Sequence, residues 1–472
     1  MWYIVVIPVA LAIGTAVSLL PTLLAFALVG MAALVLIFLS NARVAVLALL
    51  GARASIDVLQ ERSLFSAGGQ LEINAAAAMG FGIVLLGSYY ILANRINPLD
   101  NSVAIAYVAF LIIGLIGFMF SRYPATVLAD WMRAASLLII FTLVYHLFQT
   151  KEDIVQVLWA IGLSSVLPVV MGSFQFASGG GVSVEGFDRV YGTFVVPPIY
   201  AFYLVLLGPL LGVILANTHQ GWARAALAAW LVFVAVNLFA TYTRGAWIGA
   251  GLALLAMGAL RFRKLLLVLP VAAIIILVAV PQVADRFADL GYEKGEVSYK
   301  EANTLAWRTK YWREKVLGLE GANLLVGAGL GTIRKANEMD AHNDYLRLFV
   351  ETGAIGLLSY LVVLATLVNA AWRAWRNAAD SLSRDIAVAF LAVYVAYVVM
   401  SFADNIVLNP ELQWYFWSQA AVVLVIANEG SRRVAGPHPN PLPEGEGTGA
   451  GLQPSSSAID GMFLRRKPGS GL

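Results

Sequence analysis

The chain of 472 residues is 60% hydrophobic and 12% charged, with a mean hydropathy of +0.79, whereas a soluble domain is roughly 45–50% apolar and about 25% charged. Its formal net charge of +3 leaves no electrostatic footprint for nucleic acid, and the absence of cysteine excludes disulfides and thiolate metal sites. The apolar surplus falls in runs of about 17 to 25 residues, the length that carries an α-helix through a hydrocarbon layer about 30 Å thick, where each backbone amide must be satisfied within its own helix.

In chain order, these runs predict spans at 2–19, 22–39, 43–59, 75–94, 102–120, 127–148, 153–176, 191–217, 222–242, 245–260, 264–281, 344–371, 384–404 and 412–428. The first run has neither a basic leader nor a small-residue cleavage site before the next begins, so it reads as a retained helix and not as a signal peptide. The expected architecture is an all-α polytopic membrane protein with 12–14 transmembrane helices. N-terminal helices occupy 1–180, and a core occupies 181–430 with one sizeable extramembrane segment, 282–343. A tail follows over 431–472, where from Gly436 onward 14 of 37 residues are Gly or Pro, the composition of a disordered cytoplasmic end.

Orientation follows from the basic loops. Arg261, Arg263 and Lys264 form one, Arg373, Arg376 and Arg384 another, and Arg432 with Arg433 a third, all expected on the cytoplasmic side. Alternation then places Arg189, Arg244 and the segment 281–343 together on the outer face. That segment carries nine basic and nine acidic residues. Within it, over 305–317, Trp307, Tyr311, Trp312 and Val316 alternate with Arg308, Lys310, Arg313 and Lys315. This pattern predicts a helix lying on the membrane surface with its aromatics among the headgroups, the rival reading being that the rings stack on sugars. Arg308, Lys310, Arg313, Lys315, Arg334 and Lys335 either form a solvated mixed-charge face or hold an anionic acceptor.

Nucleotide and metal chemistry find no signature. Gly327, Gly329 and Gly331 give G-x-G-x-G, with Thr332 where the dinucleotide fingerprint needs glycine, and read as a tight loop. The four histidines, His146, His219, His342 and His438, are scattered and form no zinc motif.

Three stretches carry chemistry instead. They are Asp188-Arg189-Val190-Tyr191-Gly192-Thr193-Phe194, then Thr241-Tyr242-Thr243-Arg244-Gly245-Ala246-Trp247, and finally Ala341-His342-Asn343-Asp344-Tyr345-Leu346 with Glu351-Thr352-Gly353-Ala354-Ile355-Gly356. An enzyme outside the cytoplasm meets no nucleotide sugar or ATP, so its donor must arrive already activated, and a polyprenyl diphosphate is the form suited to a membrane surface. Arginine matches the geometry and charge of the departing diphosphate, and imidazole is the side chain suited to accept a hydroxyl proton near neutrality. His342 precedes a helix start at Asn343 or Asp344, whose amides favour a nearby phosphate. Against this stand plainer readings: Arg189 and Arg244 as snorkelling residues, Trp247 as an interface anchor, and His342 and Glu351 as packing residues.

The R-x-x-G-T-F run at Arg189, the T-x-T-R-G-A-W run at Arg244 and the H-N-D-Y-L with E-T-G-x-x-G-L-L runs at His342 resemble the O-antigen ligase and polymerase superfamily, over about residues 180 to 370 by motif. The resemblance implies a metal-independent inverting glycosyltransferase with no cofactor, in the bacterial inner membrane with its site facing the periplasm. It would take a glycan from undecaprenyl pyrophosphate and pass it to a hydroxyl of lipid A core, of a second lipid-linked glycan or of a protein. Carried over by motif, Arg189 and Arg244 bind the pyrophosphate and His342 is catalytic; from their places beside these residues, Asn343, Glu351 and Trp247 are expected in substrate binding. The alternative class is a transporter or flippase of lipid-linked glycans. Such proteins place ionisable residues near the bilayer midplane, whereas Asp130, Arg133, Glu351 and Asp404 fall toward the ends of their predicted spans.

Overall fold

A computed structural model describes residues 22–57, 63–67, 71–184, 187–279, 305–316, 323–337, 340–407 and 409–434. The predicted span 2–19, residue 438 and the tail beyond Val434 lie outside the described residues, as do 281–304. The architecture is all-α. Helices α1 (Thr22–Ser40) and α2 (Ala42–Ile56) are followed by a short antiparallel hairpin, β1 (Ser63–Ala67) and β2 (Leu71–Asn74). Then come α3 (Ala75–Ala93), α4 (Ser102–Phe120), α5 (Pro124–Leu147), α6 (Lys151–Leu163) and α7 (Val166–Ser178), and a second hairpin, β3 (Val182–Val184) with β4 (Phe187–Arg189). The remainder is α8 (Pro197–Asn217), α9 (Gly221–Ala240), α10 (Arg244–Leu260), α11 (Lys264–Ala279), α12 (Leu305–Val316), α13 (Asn323–Val326), α14 (Thr332–Asn337), α15 (Asp344–Asn377), α16 (Ser381–Ala403) and α17 (Pro410–Val434).

Among the described residues, seven helices are long and apolar enough to cross a membrane: α4, α5, α6 joined to α7, α8, α9, α15 and α16. Two shorter apolar helices, in α3 and α10, accompany them. Local chemistry sets their ends. Asn41, Asn101, Asn343 and Asp380 each accept a backbone N–H of the first helical turn, Thr150 and Asp153 form a reciprocal capping box, and Pro124 and Pro197 open their helices. The span 151–178 bends where Ser164 and Ser165 donate their hydroxyls back to Ile161 and Gly162 carbonyls, both at 2.6 Å.

Helix α17 packs on α5 and α15, and α16 packs on α10, α15 and α8. The polar contacts sort into two ends. At one, Arg43 pairs with Asp153, Lys151 with Asp380, and Arg261 with Asp385 at 2.8 Å. At the other, the chain turns through 121–130, 189–193, 241–245, 327–351 and 403–411, and there the three sequence motifs meet.

Candidate active site

Arg189 ends β4 and is 8% exposed. Its Nε donates to the Thr241 carbonyl at 2.7 Å and its Nη2 to Thr243 Oγ1 at 3.0 Å, while the next amide, Val190 N–H, donates to the Ala240 carbonyl at 3.1 Å. The guanidinium therefore clamps the turn that leads into α10, and Tyr242 within that turn takes a left-handed φ of 49°. Thr243 is the N-cap residue of α10, yet its hydroxyl makes no capping bond to the helix, being engaged by Arg189 and by the Thr241 carbonyl. Arg244 is the first residue of that helix and is half-buried. A cation there opposes the helix dipole. Trp247, one turn on, is anchored by Nε1 donating to the Leu238 carbonyl at 3.1 Å, with its ring 5.7 Å from Phe239. The second half of the Arg189 motif is fixed too: Thr193 Oγ1 donates to the Ala54 carbonyl at 2.6 Å.

The start of α10, next to Arg244, approaches the His342 turn through α16. A Cβ added at Gly245 would lie 3.0 Å from Ala403 Cβ, and the residue after Ala403 is Asp404, whose Oδ1 stands 3.2 Å from His342 Nδ1. The α16–α17 turn then locks onto the start of α15. Asn343 N–H donates to Asn405 Oδ1 at 3.3 Å, and Asp344 Oδ2 accepts the amides of Ile406 and Val407 at 2.9 and 3.1 Å. Asn343 Oδ1 caps Leu346 N–H at 3.0 Å, so α15 begins where the sequence predicted. His342 itself has a φ of 49°, a conformation costly for a side-chain-bearing residue and sustained here by these surrounding bonds. Its side chain is 30% exposed, so one ring nitrogen faces a carboxylate while the imidazole stays accessible.

Asp404 was not singled out by motif; only its position near a span end was. Burial raises its carboxyl, but the hydrogen bond and charge of His342, the Asn405 amide and the nearby Arg308 guanidinium outweigh burial and hold it below the usual carboxylate range. Arg308 lies on α12, half-buried, with Nη1 on the Ala403 carbonyl at 2.7 Å.

This corrects the reading of 305–317 as a headgroup-seeking helix. Tyr311 is buried against Ile333, Ala341 and Val350, and Trp312 Nε1 donates to the Ala341 carbonyl at 2.7 Å, one residue before His342. These rings fasten α12 to the protein because the adjacent turn offers both an apolar pocket and a backbone carbonyl. Lys310 and Arg313 stay exposed, as do Arg334 and Lys335; the side chains of Trp307 and Lys315 lie outside the described residues.

Glu351 is fully buried inside a different cluster. Its Oε2 accepts Arg347 Nε at 3.2 Å and its Oε1 the Ile333 amide at 3.3 Å. Arg347 also faces Asp130 at 3.6 Å and Asp340 at 3.9 Å, and Asp130 pairs with Arg133. The glycine run forms the tight loop expected of it. Gly353 has φ 67° and ψ −174°, breaking α15, and the Val350 and Glu351 carbonyls before the break accept Ala328 and Gly329 N–H at 3.0 and 2.8 Å. A side chain at Gly353 would run into the Leu325 backbone.

A family model described as O-antigen ligase matches residues 227–361, from within α9 to the middle of α15. Over that stretch, less than a third of the chain, the protein is similar to the O-antigen ligase family. No curated protein matches the chain. The matched stretch of this O-antigen ligase relative contains Arg244, His342 and Glu351, whereas Arg189 and Asp404 lie outside it and are joined to it by the contacts above. That similarity supports a function of the O-antigen ligase or polymerase type, that of a glycosyltransferase-like membrane enzyme.

Proposed function

We propose that the protein transfers a glycan from undecaprenyl pyrophosphate to an acceptor hydroxyl at the periplasmic face of the inner membrane, by a metal-independent inverting displacement. The observation that supports this reading is a chain of contacts at one end of the helix bundle: Arg189 bonds the turn that precedes Arg244, Gly245 packs against Ala403, and Asp404 bonds the accessible imidazole of His342.

In the proposed step, His342 takes the proton of the acceptor hydroxyl at Nε2. The oxygen forms its bond to the anomeric carbon as the bond from that carbon to the phosphate oxygen breaks, and the pair of electrons leaves on the diphosphate. Asp404, a hydrogen-bonding partner at Nδ1, selects the tautomer in which Nε2 carries no proton, and stabilises the imidazolium as it forms. Arg244 meets the growing negative charge at a helix start that carries no side-chain cap, where an anion offsets both the cation and the dipole. Arg189 supports that charge while holding the 241–243 turn in place. Trp247, Asn343 and Glu351 serve the substrate by fixing the α10 start, the α15 start and the glycine loop respectively.

The test is reconstitution of the full chain with a lipid-linked oligosaccharide, with and without lipid A core. Arg244→Ala should lower transfer by roughly a hundredfold, equivalent to about 3 kcal/mol, and His342→Ala by 10²–10⁴-fold, on the order expected for a lost general base. Chain lengthening without added acceptor identifies a polymerase, and transfer only to lipid A core a ligase. Full-rate transfer by both variants would overturn the assignment, and movement of donor between leaflets without transfer would favour a flippase.

A further inference from the structure

We propose that the last two turns of α15 form a binding site for an anionic phospholipid, at the end of the bundle remote from His342. The proposal goes beyond the transfer reaction and does not depend on it.

From its break at Gly353, α15 runs on to Asn377, roughly 35 Å at the helical rise, enough to cross the hydrocarbon layer. Its outward face is set by spacing. Leu358, Val362, Ala365, Asn369, Trp372 and Arg376 recur at helical intervals and are all exposed, whereas Val363, Leu367, Ala370, Ala371 and Ala374 on the other face are buried. The first half of that stripe is apolar and suits acyl chains. The second half changes character. Asn369 is followed by Trp372, its ring 4.7 Å from that of Trp375, and then by Arg376 one turn after Arg373.

Two observations set this end apart from an ordinary snorkelling terminus. Trp131, Trp230, Trp247 and Trp414 each donate the indole N–H to a protein oxygen. Among the described residues Trp372 and Trp375 have no such acceptor, which leaves both N–H groups to the headgroup layer. The carboxylates that follow in the chain are already engaged, Asp380 by Lys151 and Asp385 by Arg261. Arg373 and Arg376 therefore carry two charges that no described carboxylate neutralises. Arg373 is half-buried and its Nε is enclosed without an acceptor, a deficit that an oxygen brought to the guanidinium from outside offsets. A phosphate diester supplies that oxygen together with the negative charge. Its ester region then rests against the two indoles, and its acyl chains continue along Val362 and Leu358. A phosphatidylcholine headgroup carries its own cation, so the site favours lipids of net negative charge.

The test uses the full chain reconstituted in vesicles of equal parts phosphatidylcholine and phosphatidylglycerol. Bromine is placed on the acyl chains of one lipid or of the other, so surface charge is the same in both arms. Subtracting the signal of Trp372→Phe isolates the quenching of Trp372. Brominated phosphatidylglycerol should quench that residue with an apparent affinity roughly fivefold or more above that of brominated phosphatidylcholine, the scale of a single basic residue at an anionic surface. Combining Arg373→Gln with Arg376→Gln should abolish the preference. Arg263→Gln, exposed in a separate basic loop, should leave it unchanged, and so should His342→Ala, which separates this site from the transfer chemistry. If the paired variant does not fold, Arg376→Gln alone, at an exposed position, should still weaken the preference. Equal quenching by the two lipids in wild type overturns the proposal. So does a preference that the arginine variants retain, or one that Arg263→Gln removes as completely.

Discussion

At the scale of single residues, the most informative carboxylates are Asp404 and Glu351, which sit at the same end of the bundle in opposite circumstances. Asp404 is held below the usual carboxylate range in the folded protein. Its interactions therefore stabilise the fold fully above the unfolded value of about 3.9 and lose that contribution as pH falls through the lower folded value. The thermal midpoint of wild type in detergent should exceed that of Asp404→Asn at pH 7, and the gap should close on descending below about pH 4; a gap that stays constant down to pH 3 contradicts the stabilising role of the charged Asp404. Glu351 faces Arg347 with no exposure. Removing one partner of a buried pair typically costs about 3–5 kcal/mol, so Glu351→Ala should lower the yield of folded protein before it lowers the turnover of what remains. Unchanged stability with lost turnover would instead make Glu351 a substrate ligand. The sequence made His342 and Arg244 legible because each stands in a dense local motif. Asp404 and Arg308 were hidden because their partners are 62 and 95 residues away, and no local pattern records a contact made by folding.

Among the elements, membrane spans were the easiest to read, since lipid imposes both length and apolarity: 102–120 coincides with α4, and 264–281 begins where α11 begins. What eluded the pattern were interruptions. The E-T-G run sits inside an unbroken apolar stretch, yet Gly353 divides α15, because α13 approaches too closely for any Cβ and the freed carbonyls are taken by the 328–329 amides. The backbone there lies in a region of conformational space reserved almost entirely for glycine. Gly353→Ala should destabilise the protein by about 2 kcal/mol or more, combining strain with the clash. Gly208→Ala, in α8 where nothing lies within 4 Å of an added Cβ, should be neutral or stabilise by up to about 1 kcal/mol through helix propensity. Detergent-solubilised melting curves of the two variants provide the comparison, and equal midpoints would mean that the α15 break is not glycine-dependent. The amphipathic α12 was misassigned for a related reason: alternation shows that one face is apolar but not whether lipid or protein covers it.

For the whole molecule, the two ends carry distinct kinds of polar contact, and the proposed function requires them to face different compartments. One end is tied by pairs between basic loop residues and carboxylates, Arg43 with Asp153, Lys151 with Asp380 and Arg261 with Asp385. The other gathers Arg189, Arg244, Arg308, His342 and Asp404 around α12 and the glycine loop. Lys and Arg enrichment in short loops points the first end to the cytoplasm. A donor pyrophosphate delivered outside must then meet the second. Because the chain has no cysteine, single substitutions report orientation without background. Ala336→Cys, on the exposed surface of α14, should react with a membrane-impermeant maleimide in intact spheroplasts. His219→Cys, in the turn between α8 and α9, should react only after permeabilisation. The reverse labelling would place the imidazole beside the cytoplasm, where nucleotide sugars are present, and would remove the physical reason for a donor carrying its own diphosphate.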